Sequence, residues 1–209
     1  MIAGIAESAK DGKLLEQKSV SSPLTDEALM LQVRDGRVSK LALLFERHHR
    51  SLFNFFYRLT GRRDQSEDLV QDVFFRILKY RETYEPRTSF ASWMYQVARN
   101  THADGYRKTR GESPWSNEVN EPVSREMTIE ERLGKRQEVA ILRRALAALP
   151  VNKREVLILS RYHNLKYEEI GQILGCEAGA VKLRVYRAVR ALGRIFSEMA
   201  GETQGGQQA

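Results

Sequence analysis

Five cations and no carboxylate lie between residues 179 and 194: Lys182, Arg184, Arg187, Arg190 and Arg194. At about 100° per residue, Val181, Val185, Ala188, Val189 and Leu192 share one side of a helix. Leu183, Arg187, Arg190 and Arg194 share the other, with Lys182 and Arg184 on its shoulders. Surface helices ordinarily mix the signs of their charges, which limits self-repulsion. An outer face of one sign suits a row of phosphates. The chemistry expected here is noncovalent capture of a polyanion.

Two helices and a tight turn must present that row. Tyr167 to Leu174 reads as a first helix, Gly175 as its turn, and residues 177–195 as the second. A helix-turn-helix needs a small residue at the crossing, a turn residue about four positions later and apolar contacts between the helices. Gly171, Gly175 and the set Ile170, Leu174, Cys176 and Val181 supply them. Gly175 suits a helix C-cap because it accepts positive φ at no steric cost. Two amphipathic core helices of an all-α domain are the plain alternative, but they explain neither the spacing nor the one-signed face. Cys176, the only cysteine, is expected to be a small apolar group buried at the crossing.

The chain has 209 residues and a net charge of +7, which agrees with a polyanionic partner. A single cysteine excludes a disulfide framework and a cysteine-based zinc site. The first ten residues lack the basic start of a signal peptide. No apolar run approaches the roughly 18 residues of a membrane span. A cytoplasmic protein with no membrane insertion is expected.

Helical periodicity dominates. Residues 1–24 read as a flexible arm, followed by a short helix from Thr25 or Asp26 to Arg34, ended by Gly36. A longer helix over 38–60 stops at Gly61. Asp64 with Glu67 predicts a capping box opening a third helix to Tyr80. A fourth follows Pro86-Arg87-Thr88-Ser89 and runs to Lys108. Residues 111–125, with Gly, Ser, Asn and two prolines, mark a linker. Thr128 with Glu131 predicts a second capping box, opening a helix to Ala148 that Pro150 breaks; another covers 152–162. The expected fold is all-α: two small helical domains, 25–110 and 128–198, joined by a flexible linker at 111–127, with a flexible tail at 199–209.

Two faces of the first domain stand out. On the helix 64–80, Val70, Val73, Phe74 and Ile77 point inward, whereas Asp68, Asp72, Phe75 and Lys79 point outward. An aromatic between acids suits a protein-binding patch, unless Phe75 tucks under a neighbouring helix. On the helix 89–108, Phe90, Met94, Val97 and Thr101 face inward, and Trp93, Gln96, Asn100, Ala103 and Arg107 recur along one shoulder. Arg99, Tyr106, Lys108 and Arg110 lie outside or at the end. Amides, aromatics and cations together suit a single-stranded or distorted duplex; a core tryptophan with solvated neighbours is the alternative. Asp104 and Arg107, three apart, fit an internal helix pair equally well.

The segments Ser66-Glu67-Asp68-Leu69-Val70-Gln71-Asp72-Val73-Phe74, Phe90-Ala91-Ser92-Trp93-Met94-Tyr95-Gln96-Val97-Ala98-Arg99-Asn100 and Asp104-Gly105-Tyr106-Arg107-Lys108 resemble region 2 of bacterial RNA polymerase sigma factors. Leu149-Pro150, Arg154-Glu155-Val156-Leu157, Tyr167-Glu168-Glu169-Ile170 and Gly179-Ala180-Val181-Lys182-Leu183-Arg184-Val185-Tyr186-Arg187-Ala188 resemble region 4. Two such regions with neither region 1.1 nor region 3 is the layout of the extracytoplasmic-function (ECF) subfamily.

That resemblance implies a promoter-directing sigma factor of the sigma-70 family, with core RNA polymerase (β′ clamp helices and β flap), promoter DNA and an anti-sigma factor as partners, and no cofactor. Asp68, Gln71, Asp72 and Phe75 would face polymerase. Trp93, Gln96, Asn100, Asp104, Arg107 and Lys108 would lie at the −10 element, where a base is captured from the stack. Lys182, Leu183, Arg184, Tyr186, Arg187 and Arg190 would meet the −35 major groove. Gly171 stands where the family usually has alanine, a change expected to cost about 1 kcal/mol of helix propensity. Ala180 replaces a usual threonine, Leu183 a usual polar residue that would instead meet a thymine methyl, and Lys166 a common Ser or Thr N-cap.

A stand-alone helix-turn-helix regulator is the competing reading. It needs a dimer interface or ligand pocket, and leaves the acidic face and the helix 89–108 unexplained. A nucleic-acid enzyme is the third. The sequence has no P-loop, zinc spacing or His-Glu-x-x-His. His48 and His49 splay about 100° apart on a helix and cannot easily share a metal, and His102 and His163 are isolated.

Overall fold

The computed structural model describes residues 24–108, 129–163 and 165–205. Eight α-helices make up most of them: α1 (Asp26–Arg34), α2 (Leu41–Thr60), α3 (Arg63–Lys79), α4 (Phe90–Lys108), α5 (Ile129–Ala148), α6 (Val151–Tyr162), α7 (Tyr167–Leu174) and α8 (Ala178–Gly205). Single 3-10 turns at Val38–Lys40 and Arg81–Thr83 precede α2 and follow α3. No strand occurs among the described residues, so the all-α expectation holds.

Local chemistry explains most helix ends. The Thr25 hydroxyl accepts from the Ala28 N–H and caps α1, with Asp26 and Glu27 in its first turn. Gly61 ends α2 at φ 73°, donating its N–H to the Tyr57 carbonyl at 2.9 Å. The capping box expected at Asp64 is absent. Helix α3 starts one residue earlier, after Arg62, with no side-chain cap. Asp64 instead pairs with Arg62 at 3.1 Å and Glu67 with Arg63 at 2.9 Å, because both acids find a nearby guanidinium. The linker, the Thr128–Glu131 box, the N-terminal arm and the last four residues lie outside the described residues.

In the N-terminal half, α2 lies between α1 and α3, and α3 packs on α4. Leu29, Met30, Leu44, Leu52, Phe55, Phe56, Ile77, Phe90 and Met94 form its centre. Glu27 reaches from α1 to accept the Phe90 N–H at 3.1 Å, so a carboxylate distant in sequence satisfies an orphan donor at the start of α4. Asp26 accepts from Arg47 and pairs with His48, each at 2.6 Å, pinning α1 to α2.

In the C-terminal half, α5, α6 and α7 surround the front of α8. Leu149, Ile158, Leu159, Ile170, Val181 and Ala188 are buried between them. Helix α8 continues to Gly205, about ten residues past the expected end at Ile195 and into the stretch expected to be a flexible tail. The two halves touch: α4 packs on α7 and α2 on α6.

Candidate nucleic-acid interface

The helix-turn-helix is built on a glycine that cannot be replaced freely. A Cβ on Gly171 would stand 2.5 Å from the Cys176 carbonyl oxygen, well inside contact distance. The Cys176 N–H donates to the Gly171 carbonyl at 2.9 Å, which holds the turn that close. Gly171 is therefore required by the crossing in this chain, rather than being only a loss of helix propensity. Gly175 takes φ 63° at the end of α7, as its position predicts. Cys176 is half-buried against the core. Lysine has no acceptor, so Lys166 gives only its backbone N–H to the cap, bonded to Glu169 Oε2 at 2.8 Å.

Helix α8 then projects its cations. Lys182, Arg184, Arg187, Arg190 and Arg194 are all exposed, as are Leu183 and Tyr186. Lys182, Arg184, Arg187 and Arg194 have no ion-pair partner among the described residues. Arg190 lies over the Tyr186 ring, 5.9 Å from its centroid, and donates to the Tyr186 hydroxyl at 3.3 Å. The inward stripe is buried at Val181, Val185 and Ala188. Val189, expected inside, is 42% exposed. It lies on the flank where α8 meets α5 and, with Val139, Leu142, Leu192 and Phe196, lines an open apolar groove of about 390 Å³.

Helix α4 carries three faces. Phe90, Met94, Ala98 and Thr101 are buried, with Val97 half-buried. Gln96, Asn100 and Ala103 are exposed together. Trp93 does not join them: only 8% of it is accessible, and its ring sits 5.2 Å from Tyr84 and 6.4 Å from Phe90. Of the two readings of Trp93, the core one describes its position. Asp104 pairs across to α3, with Arg76 Nη1 at 2.7 Å. Arg107 and Lys108 close α4, and their side chains lie outside the described residues.

The acidic face of α3 stands free. Asp68, Gln71, Asp72 and Phe75 are all exposed, Phe75 at 65%, so the aromatic is not tucked under a neighbour. Neither Asp68 nor Asp72 has a hydrogen-bond or ion-pair partner among the described residues. Gln71 lines a cleft of about 480 Å³ between α2 and α3 with Phe45, His49, Phe53 and Arg63. Sequence reasoning missed Tyr95, Arg99, Arg154, Glu155 and His163 as a group that joins the two halves. Their separation along the chain gave no sign of it, although Tyr95, Arg99 and His102 do repeat at helical spacing.

The family described as Sigma-70 region 2 matches residues 44–112, and that described as Sigma-70, region 4 matches residues 140–192. The chain belongs to the sigma-70 family. Its curated relatives place it in the ECF group. It is 31% identical to the RNA polymerase sigma factor CarQ of Myxococcus xanthus, over 81% of this chain and 97% of that protein. With the ECF sigma factor SigE of Mycolicibacterium smegmatis it shares 30% identity, over 77% of this chain and 63% of that one. The ECF sigma-E factor of Escherichia coli K12 is 28% identical, over 83% of this chain and 95% of its own length. Among solved structures, CnrH in complex with the cytosolic domain of CnrY aligns with TM-score 0.62 at 22% identity, over 83% of this chain and 97% of that one. RpoE of Bartonella quintana, in complex with the anti-sigma factor NepR, aligns at 0.61 and 23% identity, over 75% and 96%. These two likenesses concern the fold. A stand-alone helix-turn-helix regulator leaves the region 2 match without a role, and the sigma-factor reading accounts for both halves.

Proposed function

We propose that this ECF sigma factor divides its work among three surfaces. Gln96 and Asn100 of α4 meet the −10 element, with Asp104, Arg107 and Lys108 at its end and Trp93 supporting α4 from the core side. Lys182, Leu183, Arg184, Tyr186, Arg187 and Arg190 of α8 meet the −35 major groove. Asp68, Gln71, Asp72 and Phe75 of α3 dock core RNA polymerase at the β′ clamp helices, and the β flap is the chain's second contact on polymerase. Polymerase supplies the chemistry, and this chain supplies binding energy alone, in the cytoplasm. An anti-sigma factor that wedges between 26–110 and 130–197 controls it by masking the polymerase-binding surfaces.

The observation that carries this reading is the sorting of charge by surface. The exposed face of α8 bears cations and no carboxylate from Lys182 to Arg194, and another face bears Asp68 and Asp72 beside an exposed Phe75. A protein built to bind DNA alone has no use for the second, which repels phosphate. Run-off transcription with purified core polymerase on a genomic promoter pool tests the whole. Specific transcripts should appear only when this chain is added, and reversal of Asp68 and Asp72 to lysine should abolish them by weakening core association in a fluorescence titration. Transcripts unaffected by the chain, or repressed by it, would return the protein to the class of stand-alone regulators. Unchanged core affinity of the reversed variant would free the α3 face of its role.

A further inference from the structure

Tyr95, Arg99 and His102 recur at four- and three-residue steps on α4 and form a third stripe, apart from its core face and from Gln96 and Asn100. This stripe faces the C-terminal half. Tyr95 Oη lies 2.7 Å from His163 Nδ1, and both rings pack edge-on against Phe55 of α2. Arg99 Nε donates to Glu155 of α6 at 3.1 Å. Burial, and after it the positive charge of Arg154, favour the neutral ring of His102. Arg154 itself donates to the Leu59 carbonyl at 2.5 Å and to the Leu149 carbonyl at 3.0 Å, so one guanidinium ties the last turn of α2 to the end of α5.

Glu155 is 7% exposed, although it sits on a helix that meets a separate half of the molecule. A carboxylate so placed is tolerated when a cation pairs with it, and Arg99 is that cation. The contact is thus made of specific polar pairs, the kind that exist in one arrangement and not in others.

This arrangement cannot serve a promoter. Helix α4 packs on α7, and α7 on α8, so one helix separates the two reading helices, a distance on the order of 20 Å. The −10 and −35 elements lie about 25 base pairs apart, on the order of 85 Å along B-DNA. Duplex that short is far below its persistence length of about 150 base pairs and does not fold back on itself. Residues 109–128, fully extended, reach at most about 70 Å, enough for the halves to part widely.

We propose that the free chain is latched shut on itself through the pairs Tyr95–His163, Arg99–Glu155 and Arg154–Leu59, and that the latch must release before the two promoter elements are engaged together. The proposal rests on the promoter-directing reading above for its consequence, and on the geometry alone for its existence.

The test uses the full chain carrying Arg99→Glu, Glu155→Arg, both together, or Tyr95→Phe. Small-angle scattering reads its dimensions, and stopped-flow fluorescence, after each form is mixed with core polymerase, reads its association with a promoter carrying both elements. Each single charge change should enlarge the radius of gyration and speed association by about tenfold, and the paired exchange should restore both. Tyr95→Phe removes one oxygen and should shift both readings the same way by a smaller factor. It decides the matter should the charge variants lose helix content by circular dichroism. Wild-type dimensions and rates in Arg99→Glu and Tyr95→Phe, with native helix content, would overturn the latch. Failure of every form to bind core would overturn the proposed function, and the scattering result would still stand on its own.

Discussion

Helices α4 and α8 are both amphipathic, and both show polar side chains to solvent, yet they are organised differently. Helix α8 has a core side and a free side. Among the described residues its cations have no acidic partner on the free side, and Arg190 alone meets a neighbour there, the Tyr186 ring and hydroxyl. Helix α4 has three sides: one in the core, one against the C-terminal half, and one exposed at Gln96, Asn100 and Ala103. A helix that binds duplex backbone can be a simple row of charge, because phosphates repeat. The role proposed for α4, to hold one extruded base, would need a rigid support, and Trp93 between Tyr84 and Phe90 and the Glu27 carboxylate at the first N–H fix the helix in place.

The largest effect expected from breaking this comparison lies at that support. Trp93→Ala should cost about 3–5 kcal/mol in urea unfolding, the usual cost of removing a large buried aromatic. Asn100→Ala, about two turns along on the exposed side, should stay within about 0.5 kcal/mol of wild type. Equal costs at the two positions would mean that α4 does not separate support from contact.

On α8 the effect should be on binding, not folding. Arg187→Ala should leave the unfolding midpoint in place. It should cost about 1–3 kcal/mol against a −35 duplex at one base pair if the guanidinium reads a base. Loss spread evenly over all sequences would assign Arg187 to phosphate. Full affinity of both Arg187→Ala and Arg190→Ala would remove α8 from the major groove.

A further effect comes from pH, and it acts where α4 meets the C-terminal half, through His102 of α4 and His163 at the end of α6. Burial holds His102 and His163 to pKa values of about 4, assisted by the charges of Arg154 and Arg58 respectively. His163 faces the Tyr95 hydroxyl, whose own ionisation burial pushes far upward, and His102 shares its surroundings with Arg154. The unfolded chain therefore takes up protons near pH 6.5 that the folded chain refuses until about pH 4. The stability tied to the neutral rings is complete above pH 6.5 and is lost as pH falls toward 4. Urea midpoints of wild type should drop between pH 7 and pH 5, and those of His102→Gln/His163→Gln should drop less. Parallel curves would show that the two rings titrate alike in both states.

The same contrast explains what could be read before the fold was known. The α8 row is legible because its meaning depends only on helical period and charge sign, and the Gly171–Gly175 spacing depends only on local turn geometry. Phe75 and the acids of α3 are legible as an outward face for the same reason, although periodicity alone does not exclude a tucked Phe75. Trp93 was ambiguous because a shoulder position becomes core or surface according to what packs beside it, here Tyr84 from the turn before α4. The Asp64 box failed because a capping pattern competes with adjacent arginines, and Arg62 and Arg63 won. Val189 failed because a wheel drawn for α8 alone does not know where α5 stops covering it. The Tyr95–His163 and Arg99–Glu155 pairs span more than fifty residues and need the placement of both halves.

The central claim is that the exposed side of α4 acts on melted DNA while α8 finds the duplex, and permanganate footprinting of unpaired thymines tests it most directly. Holoenzyme carrying Asn100→Ala should still occupy a fully paired promoter through its −35 contacts, yet leave the −10 thymines largely unreactive. A template already mismatched across the −10 segment should regain much of that reactivity, because the few kcal/mol needed to unstack a base is then supplied in advance. Wild-type reactivity on fully paired DNA by both Asn100→Ala and Gln96→Ala would contradict the account, since α4 would then be a packing element and melting would be carried elsewhere.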